Sequence, residues 1–193
     1  MFGCDLPVMA ITDRHLCPHG LVPRLQEILP LHPAALLLRE KDLDEAAYQA
    51  LAQEVLPLCQ ENAVPLILHG RPALARRLGV FAIHLPMPQL LSATKEDLAG
   101  FSWISTSIHR PEEAALAAQH GATALLAGHI FPTQCKAGLQ PRGLSFLQEV
   151  LAVSPLPVWA IGGIHQATLP LLGTTGCAGA CMMSEWMNGH PIP

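Results

Sequence analysis

The sequence predicts an α/β fold, a small (β/α)8 TIM barrel with an abbreviated last helix. Three observations carry this. Eight short apolar runs recur along the chain at intervals of roughly 20–30 residues. Each run is nearly continuous in apolar residues, the pattern of a parallel strand covered on both faces. Helix-like stretches rich in Ala, Leu, Glu and Gln lie between most of them. A doubly wound open sheet is the rival architecture, but eight regular units favour closure. The 193 residues fall short of the ~250 usual for such barrels.

The elements follow in order. PVMAIT (7–12) ends in Thr12 and Asp13. AALLLR (34–39) leads through Arg39 into Glu40 and Lys41, and DEAAYQALAQEVLPLCQENA then reads as a helix. PLILHG (65–70) gives His69, Gly70 and Arg71, and FAIHLP (81–86) gives His84. The helical stretch after it, QLLSATKEDLAG, is short. WISTSI (103–108) presents Ser105 and Ser107, with His109 just outside, before the helical PEEAALAAQHG. TALLAG (123–128) runs into His129 and a loop with Thr133, Cys135, Lys136 and Gly138. PVWAIG (157–162) ends in Gly162-Gly163. AGACMM (178–183) leads into Met183 and Ser184, and only SEWMNGHPIP remains for an eighth helix, with HPIP as a tail. No linker or low-complexity segment divides the chain, so one domain is expected over 1–193.

Composition narrows the function. Half of the residues are hydrophobic and 13% are charged, which excludes a disordered chain. No apolar run reaches the roughly 18 residues of a membrane span. The net charge of −4, from 11 basic and 15 acidic residues, includes no basic cluster, so nucleic acid and anionic membranes are poor partners. MFGCDLPVMA lacks a basic leader and a long apolar core, so no signal peptide is expected. Six cysteines without a CxxC pair then read as reduced thiols of a cytoplasmic protein. Ten histidines form no HExxH or other metal-ligand spacing.

In a closed barrel, catalytic groups lie where the strands end, in the βα loops. The polar residues above therefore converge on one face, and His129 belongs at its mouth. Gly162-Gly163 and the Met183-Ser184 turn follow strands seven and eight, where backbone N–H groups commonly hold phosphate. Glycine also allows a tight turn there. Thr133 could orient an anionic ligand and Lys136 add a point charge. Other readings stand beside these. His129 could be a core histidine bonded to backbone, Arg39 to Lys41 a solvated strand exit, and Ser107 a strand terminus. His69 and His84 read as pocket lining rather than a metal pair, for want of a third ligand. Cys135 is a candidate reactive thiol, though its neighbours favour loop packing, and His15, His19 and His32 receive no role.

From about Met9 to Trp186 the chain resembles the thiamine phosphate synthase superfamily. The resemblance rests on AITD (10–13), LREKD (38–42), STSIHRPEEA (105–114), GHIFPTQCKAG (128–138), RGLSFL (142–147) and PVWAIGGI (157–164). It implies a barrel, thiamine biosynthesis and a phosphorylated thiazole ligand, and it places Arg39 and Lys41 near anionic groups. Two branches differ. The synthase, coupling hydroxymethylpyrimidine diphosphate to thiazole phosphate with Mg²⁺, has Asn-Asp after strand three and Gly-Gln with a later Asp after the strand-four His-Leu. This chain has His69-Gly70-Arg71 and HLPMP there, and Leu37 stands where the synthase has glutamine. A hard cation holding a diphosphate wants oxygen ligands. The thiazole tautomerase branch looks like NGR, QLP and GHVF-T-CK-G. HGR, HLP and GHIFPTQCKAG resemble it more closely, with His69 in place of the asparagine.

The expectation is therefore a tautomerase that converts carboxythiazole phosphate to its aromatic tautomer. The resemblance implies His129 as acid/base, a group able to lift a proton from one position and deliver it to another near neutral pH. No metal or other cofactor is expected. Alternatives are the synthase, with Mg²⁺, and a non-catalytic thiazole or thiamine phosphate-binding regulator. A homodimer is left open.

Overall fold

A computed structural model describes residues 6–136 and 138–189. Every predicted run contains a strand: β1 (Val8–Ile11), β2 (Ala35–Leu38), β3 (Leu66–His69), β4 (Ala82–His84), β5 (Trp103–Ile108), β6 (Ala124–Gly128), β7 (Val158–Ile161) and β8 (Gly179–Met182). All neighbours pair in parallel and the ring is closed, β1 pairing with both β2 and β8. The β1–β8 seam sets Val8 against Ala180 and Ala10 against Met182.

Side chains alternate across a strand, so near-continuous apolar runs supply two cores. Val8, Ala10, Leu36, Leu38, Leu66, Leu68, Leu125, Ala127, Val158 and Ala160 face the helices. Met9, Ile11, Ala35, Leu37, Ile67, Leu126, Trp159 and Cys181 fill the barrel lumen. There Trp103 packs edge-on against Trp159 with ring centroids 6.0 Å apart.

The helices are α1 (Leu21–Ile28), α2 (Glu45–Glu61), α3 (Pro72–Arg77), α4 (Met87–Ser92), α5 (Lys95–Leu98), α6 (Glu113–Gln119), α7 (Gly143–Val153) and α8 (Ser184–Met187). The expected abbreviations after strands four and eight are present, as the short α4–α5 pair and the four-residue α8. A third abbreviation was not anticipated: between β7 and β8 the chain makes only a 3₁₀ turn, Leu169–Leu172. Pro170 opens that turn, and Gly173, Thr174, Thr175 and Gly176 follow it. Gly costs a helix about 1 kcal/mol and β-branched residues less, so this segment cannot extend as a helix. The HPIP tail and Cys4 lie outside the described residues. Among the described residues, no helix is long and apolar enough to cross a membrane.

Candidate active site

The C-terminal ends of the strands open into a cavity of about 790 Å³. Its lining includes all twelve residues expected from the sequence: Arg39, Lys41, His69, His84, Ser107, His129, Thr133, Lys136, Gly162, Gly163, Met183 and Ser184.

On the β1–β2 side, alternation separates cations from carboxylates. The Thr12 hydroxyl accepts the Arg39 N–H at 2.9 Å, fixing the strand exit. Glu40 turns inward and accepts the Arg14 N–H at 3.1 Å and its guanidinium at 3.1 Å. Arg14 also holds Asp42 at 2.6 Å, and His15 lies 3.0 Å from the same carboxylate. These bonds keep Asp42 well below the usual carboxylate range. Arg39 and Lys41 remain on the cavity, and among the described residues no acidic side chain pairs with either or with Lys136. Desolvation, then Arg39 and Lys136, pull the Lys41 ammonium below its ordinary value. An anion placed among these three cations would reverse the repulsion.

The β3–β5 side is built on buried imidazoles. Tyr48 of α2 donates to Leu38 O at 2.6 Å and accepts the His69 N–H at 3.1 Å, tying the ends of β2 and β3 together. His69 and His84 stack with centroids 5.5 Å apart. The Ser105 hydroxyl donates to Ile83 O at 3.4 Å, so its oxygen is left to accept from Nδ1 of His84, 3.0 Å away. Nε2 is then the bare nitrogen, accepting the Ser107 hydroxyl at 3.2 Å. Burial, then His69, Arg39 and Lys41, lower His84 to about 3. Burial, then Arg39 and Lys41, lower His69 to about 4.

This has a consequence for stability. Folding holds His69 neutral where the unfolded chain, titrating near 6.5, takes up a proton. The stabilisation is fully present above that unfolded value and is lost as pH falls towards 4. His69 alone is expected to cost about 2 kcal/mol between pH 7 and pH 5. Urea unfolding at both pH values measures it. His69→Asn should shrink the difference, and an unchanged difference would assign it to other groups.

His129 is placed by main chain. Ile130 N–H donates to Ile161 O at 3.0 Å and Phe131 N–H to Gly162 O at 2.9 Å, stitching the segment after β6 to β7. Arg142 N–H donates to His129 O, and Gly143 N–H to Ile130 O, both at 3.0 Å. Its ring is buried and makes one long contact, Nε2 to Leu139 O at 3.4 Å. Gly162 has φ of +97° and a Cβ there would lie 2.3 Å from the His129 Cβ. Gly163 has a packing reason to be glycine besides the close approach of a phosphate that the sequence suggests: a Cβ there would meet Pro132 O at 2.4 Å and Phe131 O at 2.6 Å. That glycine makes room for the β6–α7 loop. Cys135, expected as loop packing, is exposed.

The cavity also takes Asp13 and His109, which the sequence places at strand ends without a role, and Glu113, His165 and Glu185, which it does not single out. The carboxylates serve main-chain groups. Asp13 accepts from His15 N–H at 3.2 Å, Glu113 from His109 N–H at 2.7 Å, and Glu185 from Gln166 N–H at 2.6 Å. Where the resemblance puts the synthase's magnesium carboxylates, this chain has His69-Gly70 and Pro86-Met87-Pro88, and the buried imidazole of His84 lies beside them. No group of three or more His, Cys, Asp or Glu among the described residues could hold a metal. This donor set does not fit Mg²⁺, which takes oxygen ligands.

Comparisons with known proteins give the family. The family model described as thiamine monophosphate synthase matches residues 8–186. A thiamine-phosphate synthase of Lacticaseibacillus paracasei is 34% identical over 156 residues, 80% of this chain and 73% of that protein. One from Desulfitobacterium hafniense is 32% identical, over 95% of this chain and 90% of that one. The solved thiamine phosphate pyrophosphorylase from Pyrococcus furiosus superposes with a TM-score of 0.80 at 25% identity, covering 95% of this chain and 88% of that one. The match begins with β1 and ends in α8, spanning the eight strands whose ends make the cavity, so the chain belongs to the thiamine monophosphate synthase family.

Proposed function

We propose that the chain is a thiazole tautomerase of thiamine biosynthesis, isomerising carboxythiazole phosphate to its aromatic tautomer without a metal or other cofactor. The supporting observation is the donor set: His129 faces a cavity in which His69-Gly70 and Pro86-Met87-Pro88 stand where the resemblance puts the synthase's metal-binding carboxylates. The substrate is anionic at two ends. Backbone N–H groups near Gly162, Gly163, Met183 and Ser184 hold the phosphate. Arg39, Lys41 and Lys136 attract the carboxylate, Thr133 orients it, and His69, His84 and Ser107 line the ring's pocket. His129 removes a proton from the ring. The setting is cytoplasmic, in keeping with cysteines that are free among the described residues.

A second reading is coupling of hydroxymethylpyrimidine diphosphate to thiazole phosphate. The relatives' names support it over the tautomerase, for they read thiamine-phosphate synthase. One experiment separates the two. Synthesised exocyclic tautomer is mixed with the protein and the ultraviolet spectrum followed. Accelerated aromatisation is expected, and coupling with Mg²⁺ should be absent or very slow. Coupling above about 1 s⁻¹ would make the chain a synthase. Binding of thiazole phosphate without either turnover would make it a regulator.

A further inference from the structure

We propose that His109 is a second catalytic residue of this cavity, delivering a proton to the ligand after His129 has removed one. This deepens the tautomerase reading and rests on it.

The argument starts from hydrogen bonds that fix the ring. His109 follows β5 and lines the cavity from its exposed rim. Its Nδ1 lies 2.7 Å from Gly128 O. A carbonyl only accepts, so Nδ1 carries the hydrogen. The same carbonyl accepts Arg142 Nε–H at 3.1 Å, which holds it in place. The His109 N–H is held by Glu113 at 2.7 Å. Ring and backbone are thus anchored, and Nε2 is the nitrogen left for the cavity. An imidazole oriented at one nitrogen by a fixed acceptor, with the other directed at a reacting group, is the general arrangement of acid/base histidines.

Register then places two such rings together. Ile108 pairs with Ala127 across the β5–β6 seam. The next positions are His109 and Gly128, and His129 follows directly. Two imidazoles therefore leave neighbouring strands on one side of the cavity. They differ in access to water, His129 being buried and His109 exposed.

The proton balance suits that difference. A ring C–H bond breaks and its proton goes to neutral His129. The electron pair shifts through the ring double bonds and opens the exocyclic C=C. Its outer carbon takes a proton from Nε2 of imidazolium His109, forming a new C–H bond. His129 is left protonated and His109 neutral; His109 regains a proton from water at the rim, and His129 gives its proton to water once the product has left the cavity. Nothing is oxidised or reduced.

Two variants and one label test this. Asparagine can present its amide N–H near the position of Nδ1, keeping the bond to Gly128 O while lacking Nε2. His109→Asn should lower kcat for aromatisation about 100-fold with KM nearly unchanged, and His109→Ala should be no more active. In D₂O, wild-type product should carry solvent deuterium at the new C–H position. His109→Asn product should retain more of the substrate's own hydrogen, because His129 must then perform both transfers. If His109→Asn keeps kcat within twofold, or labelling is the same in both proteins, His109 only holds the Gly128 carbonyl and the proposal falls. If wild type does not aromatise the tautomer at all, the tautomerase reading falls first.

Discussion

His129→Asn is expected to reduce kcat for aromatisation by about 10²–10⁴-fold, the usual contribution of a general acid/base group, with a much smaller change in KM. Asparagine fits the space and can still reach a neighbouring carbonyl, but it cannot take up a proton. Most of the groups proposed to hold the anion belong to other strands: Arg39 and Lys41 follow β2, Gly162 and Gly163 follow β7, and Ser184 follows β8, while Thr133 and Lys136 share the loop after β6 with His129. Ligand affinity should therefore survive. Wild-type kcat in this variant would mean that the proton travels by another route. His84, a strand-end histidine of the same cavity, is a poor substitute. Its two nitrogens are engaged by Ser105 and Ser107, and burial lowers it to about 3. His109 would inherit the role.

Gly162→Ala is expected to destabilise the protein by about 3 kcal/mol or more. Two costs add. An alanine at φ +97° is strained, which costs of order 1–3 kcal/mol. Its Cβ would also sit 2.3 Å from the His129 Cβ and 2.7 Å from the His129 Cα, overpacking worth typically 1–3 kcal/mol. Neither atom can rotate away, because the segment is pinned by the bonds from Ile130 and Phe131 to β7. Urea unfolding at pH 7 measures the loss, and a change below about 0.5 kcal/mol, the range of ordinary surface substitutions, would contradict the geometry.

The strands were legible because burial on both faces removes the polar residues from each run. Met9 in the lumen and Ala10 under the helices are equally apolar for different reasons. Strand-end position then sufficed to gather His129, Arg39, Lys41 and the β7–β8 glycines into one cavity. Four things were hidden. The chain between β7 and β8 offered Leu169 and Leu172 at helical spacing, and the cost of Pro170 and the following Gly and Thr residues was overlooked. His109 was seen only as lying just outside β5. Its orientation is set by a carbonyl 19 residues away, a contact that no local pattern encodes. The packing reason for the glycine pair is hidden too, because sequence cannot say which neighbour a missing Cβ would strike. Glu40, between Arg39 and Lys41, was likewise unreadable until Arg14, 26 residues distant, came to meet it.

The seam between β1 and β8 joins residues 8–10 to residues 180–182. During synthesis, β1 therefore waits for its partner until nearly all the intervening chain has been made. Until then the growing sheet keeps two unpaired borders, each a template for another copy's strand. The cell's exposure to misassembly is set by how long the ribosome takes over this span, and a holding chaperone would have most to do just before β8 emerges.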